Sequence, residues 1–225
     1  MIKRYSSAII FWGAFWGLEE ATLGHLLHLT AFPIGWLFWF PFAYFFMGMV
    51  YKQTGKLHSI IFTSMVALSI KLINLFMTVN LVIVICPALS ILLEGLSLYA
   101  VLKLFACKKR INYKLVEIVS VNLLWRALFL VSLLAIPRWI LPAYPYKGAM
   151  SLLKFFLYEG FINSLFIYGM IMFTAKIKGI NHEKNLHTKL FSNKLVKLEV
   201  VKQFSFKPLV AFSLLTIALI LQWVL

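Results

Sequence analysis

Gly13-Ala14-Phe15-Trp16-Gly17-Leu18-Glu19-Glu20-Ala21-Thr22-Leu23-Gly24-His25-Leu26-Leu27-His28 places two adjacent carboxyls and two imidazoles in an otherwise apolar run. With the apolar residues before it, this run reaches the roughly 20 residues that a helix needs to cross a bilayer. A charge at the centre of a spanning helix costs about 2.5–3.5 kcal/mol on insertion scales, so such residues face a bundle interior or a water-filled cavity. The pattern recurs along the chain. There is no Asp, and five of the seven acidic residues fall in apolar runs: Glu19, Glu20, Glu94 and Glu159 inside them, Glu117 near the start of one. Lys71 and Arg126 are placed in the same way, and Lys154 sits near the end of a run.

Composition agrees. Of 225 residues, 62% are hydrophobic and 13% charged, whereas soluble domains carry about 25% charged residues. The fold class is therefore all-α, a polytopic transmembrane helical bundle. Seven spans are predicted: Ala8–His28, Ala31–Tyr51, His58–Thr78, Leu81–Leu102, Leu115–Ile136, Ser151–Ala175 and Pro208–Leu225. Residues 1–175 form a six-span membrane bundle, 176–207 a basic cytoplasmic amphipathic linker, and 208–225 a C-terminal transmembrane or interfacial helix. The first run is read as a retained span rather than a cleaved signal, because Glu19 and Glu20 interrupt its apolar core.

The net charge is +15, but the basic residues lie in the gaps between apolar runs, which argues against a nucleic-acid partner. Of 22 Lys and Arg, 17 fall in one set of alternate gaps, against Arg138 and Lys147 in the other. The positive-inside rule then puts the N-terminus in the cytoplasm of a multi-pass plasma-membrane protein. Segment 176–207, with Leu186, Leu190, Leu198 and Val201 among lysines, suits an anionic lipid surface or a cytoplasmic partner. The gap Pro137–Met150, with Trp139, Tyr144 and Tyr146, is an interfacial outer loop or a lid. Cys86 and Cys107 fall about 30 Å apart on one predicted helix, too far for a disulfide.

Several spans carry polar stripes at helical spacing. Glu20 and His28 share a face with Gly24, and His25 lies beside it. The third span offers Ser64, Lys71, Asn74 and Thr78, and the fourth Ser90, Glu94 and Ser97. The fifth has Asn122 and Arg126 one turn apart, the sixth Tyr158, Glu159 and Asn163. Either these charges pair among themselves, for instance Lys71 or Arg126 with Glu94, or they line a cavity that a ligand completes. The cavity is preferred, because five helices contribute at similar depth. Its candidate residues are Glu20, His25, His28, Lys71, Asn74, Glu94, Arg126 and Glu159. A small polar solute is the expected partner, with the surplus of acids favouring a cation or amine. Histidines at the outer interface would be solvated, and their spacing matches no metal motif. No metal, cofactor or catalytic residue is assigned.

Gly13, Gly17 and Ala21 lie four apart and make a smooth face for close approach by another helix, of this chain or a partner. The size, the six core spans, the cytoplasmic N-terminus and this small-residue first helix resemble the S components, the substrate-binding subunits, of energy-coupling factor (ECF) transporters. The resemblance implies a substrate-binding subunit that joins a transmembrane coupling protein and ATPase subunits. On that analogy Gly13, Gly17 and Ala21 would form the coupling contact. No Walker A pattern is present in the chain itself. Two other functions are open. Buried Glu, Lys and Arg suit a stand-alone proton- or ion-coupled carrier. Glu19-Glu20 with His25 and His28 is loosely similar to CAAX-protease-like enzymes, an intramembrane metal-dependent hydrolase, but Gly24 stands where that motif has Arg. The expectation is a non-enzymatic solute binder.

Overall fold

The computed structural model describes residues 2–29, 36–76, 81–107, 114–137, 148–177 and 212–218. Every regular element among them is helical. These are α1 (Ile2–Leu29), α2 (Trp36–Thr54), α3 (His58–Leu72) with a 3₁₀ turn over Ile73–Phe76, α4 (Leu81–Cys107) and α5 (Lys114–Ala135). A last helix runs as α6 (Ala149–Leu153), a π turn over Lys154–Tyr158, and α7 (Glu159–Ile177). Residues 212–218 are also helical.

Three of these helices are long and apolar enough to cross a membrane: Val84–Phe105, Lys114–Ala135 and Ala149–Phe173. They correspond to the fourth, fifth and sixth predicted spans. α1 and α2 have the length, 28 and 19 residues. However, α1 carries Glu19 and Glu20, and α2 is dominated by aromatic residues. The apolar helix His58–Leu72 is shorter. Most of the linker 176–207, the loop 138–147 and the rest of the final segment lie outside the described residues.

α3 is the centre of the arrangement and packs most extensively against α1 and α4. Its buried face is made of small and β-branched residues, Ser59, Ile60, Thr63, Ser64, Ala67 and Ile70. Glycines on its neighbours let it come close. A Cβ on Gly13 would fall 2.6 Å from the Cβ of Val66, and one on Gly17 would press into Ile70. On the other side, a Cβ on Gly95 of α4 would collide with Ser64. The smooth face predicted on α1 is therefore occupied by α3 of the same chain. Of the two readings of that face, a helix of this chain or of a partner, Gly13 and Gly17 take the first; the side chain of Ala21 lies outside the described residues. The helical stretch 212–218 packs beside this seam, with Leu214, Leu215 and Ala218 against Ala14, Leu18, Val66 and Ile70.

One end of the bundle gathers basic gaps. The α2–α3 turn is closed by Gly55 in the left-handed region (φ 68°), its N–H donating to the Tyr51 carbonyl at 2.8 Å, the usual way a glycine ends a helix. Lys56 lies over the Tyr5 ring, Trp12 Nε1 donates to Gln53, His58 meets the Tyr99 ring, and Lys103 lies over Tyr99. The start of α1, the α2–α3 turn and the end of α4 thus share one end, as the alternation of charged gaps requires.

Candidate functional site

The charged groups predicted for the site fall in two neighbourhoods. The first is built on α5 and α7. Arg126 is 2% exposed. Its Nε donates to Asn122 Oδ1 at 2.9 Å, and Nη1 donates to the Phe155 carbonyl at 2.6 Å and to Glu159 Oε2 at 3.4 Å. Its guanidinium lies over the rings of Phe155 (4.5 Å) and Trp125 (4.8 Å). The Phe155 carbonyl that accepts this bond lies in the π turn. The Glu159 N–H bonds the Lys154 carbonyl, five residues back, instead of the Phe155 carbonyl that a continuous α-helix would use.

Asn122 holds this arrangement together. Its Oδ1 accepts from Arg126 Nε and from Trp125 Nε1 at 3.0 Å, while its Nδ2 donates to the Gly160 carbonyl at 2.8 Å and to Ser164 Oγ at 3.2 Å. Arginine and indole nitrogens are donors only, so these contacts set the orientation of the amide. Next along α7, Asn163 donates to the Trp36 carbonyl of α2 at 3.2 Å, and its buried Oδ1 has no hydrogen-bond partner.

The second neighbourhood lies among α1, α3 and α4. Glu19 interacts electrostatically with Glu20, Glu94 and Lys71. Glu20 also feels Lys71, and Glu94 feels Glu20 and Arg126. Glu94 is only 5% exposed. Both carboxyl oxygens of Glu19 are buried without a hydrogen-bond partner among the described residues. No hydrogen bond joins Glu20, Lys71 or Glu94 to another described residue. Three uncharged groups on the same helices are in the same condition: Trp16 Nε1, Thr63 Oγ1 and Ser97 Oγ, all in residues with no exposure, have no partner among the described residues.

Of the predicted site residues, Arg126 and Glu159 come together, while Glu20 lies within electrostatic reach of Lys71 and Glu94. Of the ion pairs weighed as the alternative to a cavity, Arg126 with Glu94 is not the one formed. Arg126 bonds Glu159, because the π turn and Asn122 aim its head group at α7. The side chains of His25, His28 and Asn74 lie outside the described residues. Sequence reading missed the Phe155 carbonyl, Trp16 and Ser164. Only Ser164 carried a usable signal, its position one turn beyond Gly160 on the stripe of Glu159 and Asn163.

Comparison with protein-family models, curated proteins and solved structures finds no match.

Proposed function

We propose that this chain is a multi-pass plasma-membrane protein that binds a small polar solute inside its helical bundle. It acts as the substrate-binding subunit of a transporter energised by partner ATPases. Six core spans and a seventh C-terminal span carry it, with the N-terminus in the cytoplasm. The observation that carries this reading is the cluster of Glu19, Glu20 and Glu94. Three acids in apolar helices lie within electrostatic reach of one another or of Lys71, and no hydrogen bond from a described residue satisfies Glu19. Buried polar groups in folded proteins are almost always satisfied, and a bound solute supplies the missing partners. The Arg126–Glu159 pair serves as the rigid wall of that site.

The test is purification of the tagged full chain from its native cell in gentle detergent, with mass spectrometry of what accompanies it. A co-purifying membrane protein with ATPase subunits, or a retained small molecule, is expected. Arrival alone and empty overturns the transporter-subunit reading and favours a stand-alone carrier.

A further inference from the structure

We propose that a groove on the flank of the bundle, between the first turns of α1 and the middle of α3, seats an anionic phospholipid. One acyl chain lies in the groove and the headgroup meets Lys56. The proposal goes beyond the solute-binding reading and does not depend on it.

The groove follows from the seam between the two helices. α1 and α3 run in the same direction, since Gly13 meets Thr63 and Val66, and Gly17 meets Ile70. At those positions glycine permits close contact. Nearer the start of α1 the residues are larger, and the seam opens. Tyr5, Ile9 and Ile10 of α1 and Phe62, Met65 and Val66 of α3 line a groove of about 410 Å³. It follows α3 from Phe62 to Ser69, about 10 Å at 1.5 Å per residue. Ser69 Oγ donates back to the Met65 carbonyl at 2.8 Å, so its hydroxyl is satisfied within its own helix and the deep end is apolar. Phe62 and Met65 are about half exposed.

The surroundings of the groove select its occupant. In a bilayer this flank meets acyl chains, and apolar walls without neighbouring atoms forfeit their dispersion contacts. The helical stretch 212–218 packs on the next part of the seam, against Ala14, Leu18, Val66 and Ile70. None of its described residues lines the groove.

Charge then specifies the headgroup, because polarity is graded along the groove. The end away from Gly13 is lined by Tyr5 and Ser6, and Lys56 Nζ lies 4.8 Å from the centroid of the Tyr5 ring. The turn that presents Lys56 is held in place. Gly55 takes the left-handed conformation before it, and the Lys56 N–H donates to Thr54 Oγ1 at 3.3 Å. No described carboxylate is in ion-pair contact with Lys56. The sequence adds Lys3 and Arg4 to the first turn of α1. A headgroup with a net negative charge complements this end, and a zwitterionic one does not. The proposed topology puts it in the cytoplasmic leaflet, where anionic lipids reside and basic pockets between helices bind their headgroups.

The experiment is thermal unfolding of the full chain in detergent micelles doped with phosphatidylglycerol, or with phosphatidylcholine of the same acyl chains. Native mass spectrometry counts the lipids and chains retained. At about 100-fold over its dissociation constant, phosphatidylglycerol should raise the midpoint by about 5–10 °C, and phosphatidylcholine should do much less. Lys56→Gln should weaken the phosphatidylglycerol response ~5-fold, the loss of one cation at an anionic surface. Met65→Trp leaves the charge alone but displaces two or more methylenes of the chain, and should weaken the response at least ~10-fold. Met172→Trp, at a comparably exposed position on α7, should leave it unchanged. Equal responses to the two lipids, or a response that Lys56→Gln leaves intact, overturn the headgroup contact and with it the proposal. A response that Met65→Trp and Met172→Trp change equally overturns the groove. Full stabilisation by glycerol 3-phosphate alone shows a phosphate site and not a lipid site. A retained second copy of the chain, lost in Met65→Trp, shows that the groove is a self-interface. No lipid response, with a midpoint lowered by Met65→Trp in plain detergent, shows that the chain itself covers the groove. Each of these last three outcomes overturns the lipid.

Discussion

Arg126 shows what a buried charge demands. Its Nε and Nη1 are both engaged, and its partners come from two helices. Removing one member of such a buried pair costs about 3–5 kcal/mol, because the other charge is left uncompensated. Arg126→Met should lower stability by about that amount, measured by chemical unfolding in detergent. Arg126→Met with Glu159→Leu should recover part of the loss, and a double variant no better than the single one would show that the ion pair is not the stabilising link. Asn122→Leu is the second residue-scale prediction. It strips the acceptor from Trp125 Nε1 and Arg126 Nε and the donor from the Gly160 carbonyl. Each buried group left without a partner costs about 1–3 kcal/mol, so the protein should be among the least stable single variants. Near-normal stability would mean that other groups readily replace the amide.

At the scale of elements, two devices shape the bundle. One is the glycine contact between α1 and α3. Gly13→Ala puts a methyl 2.6 Å from Val66 Cβ and 2.9 Å from the Thr63 carbonyl. Two of the three atoms it meets are a β-branched side chain's stiff base and backbone, neither of which swings away. Overpacking of this kind costs about 1–3 kcal/mol. By contrast, Gly48→Ala, where a Cβ meets nothing within 4 Å, should be neutral or slightly stabilising, since Ala is a better helix former than Gly. Equal effects at the two positions would contradict the tight seam. The other device is the π turn. Deleting Leu157, which is 52% exposed, removes the extra residue and returns the Phe155 carbonyl to an α-helical bond. Arg126 then loses its shortest acceptor, and α6 is turned relative to α7. The expected result is a loss of stability comparable to a broken charged hydrogen bond, about 1.5–3 kcal/mol.

For the whole molecule, the strongest constraint is which ends face which side. Tyr5, Lys56, His58, Tyr99 and Lys103 meet at one end, the end that the proposed topology puts in the cytoplasm. In a chain lacking Cys86 and Cys107, Lys56→Cys should react with a membrane-impermeant thiol reagent only after cells are permeabilised. Lys147→Cys should react in intact cells. Labelling of both from the same side would rule out the proposed topology. Hydropathy and charge alternation made the helical class legible in the sequence, because a bilayer forces backbone groups into internal hydrogen bonds and penalises charges in a way that leaves a mark on every apolar run. The helix beginning at His58 and the paired positions of Asn122 and Arg126 were readable for the same reason: helical periodicity is local. Partner choice is not local. Nothing in the spacing distinguished Glu94 from Glu159 as the partner of Arg126. That was decided by the packing of α5 against the π turn at Lys154–Tyr158, where the Phe155 carbonyl and Glu159 both meet Arg126 Nη1. Nor did the spacing say whether Gly13 and Gly17 receive another protein or α3, since a smooth helix face accepts any close neighbour and only the packed bundle determines which one arrives.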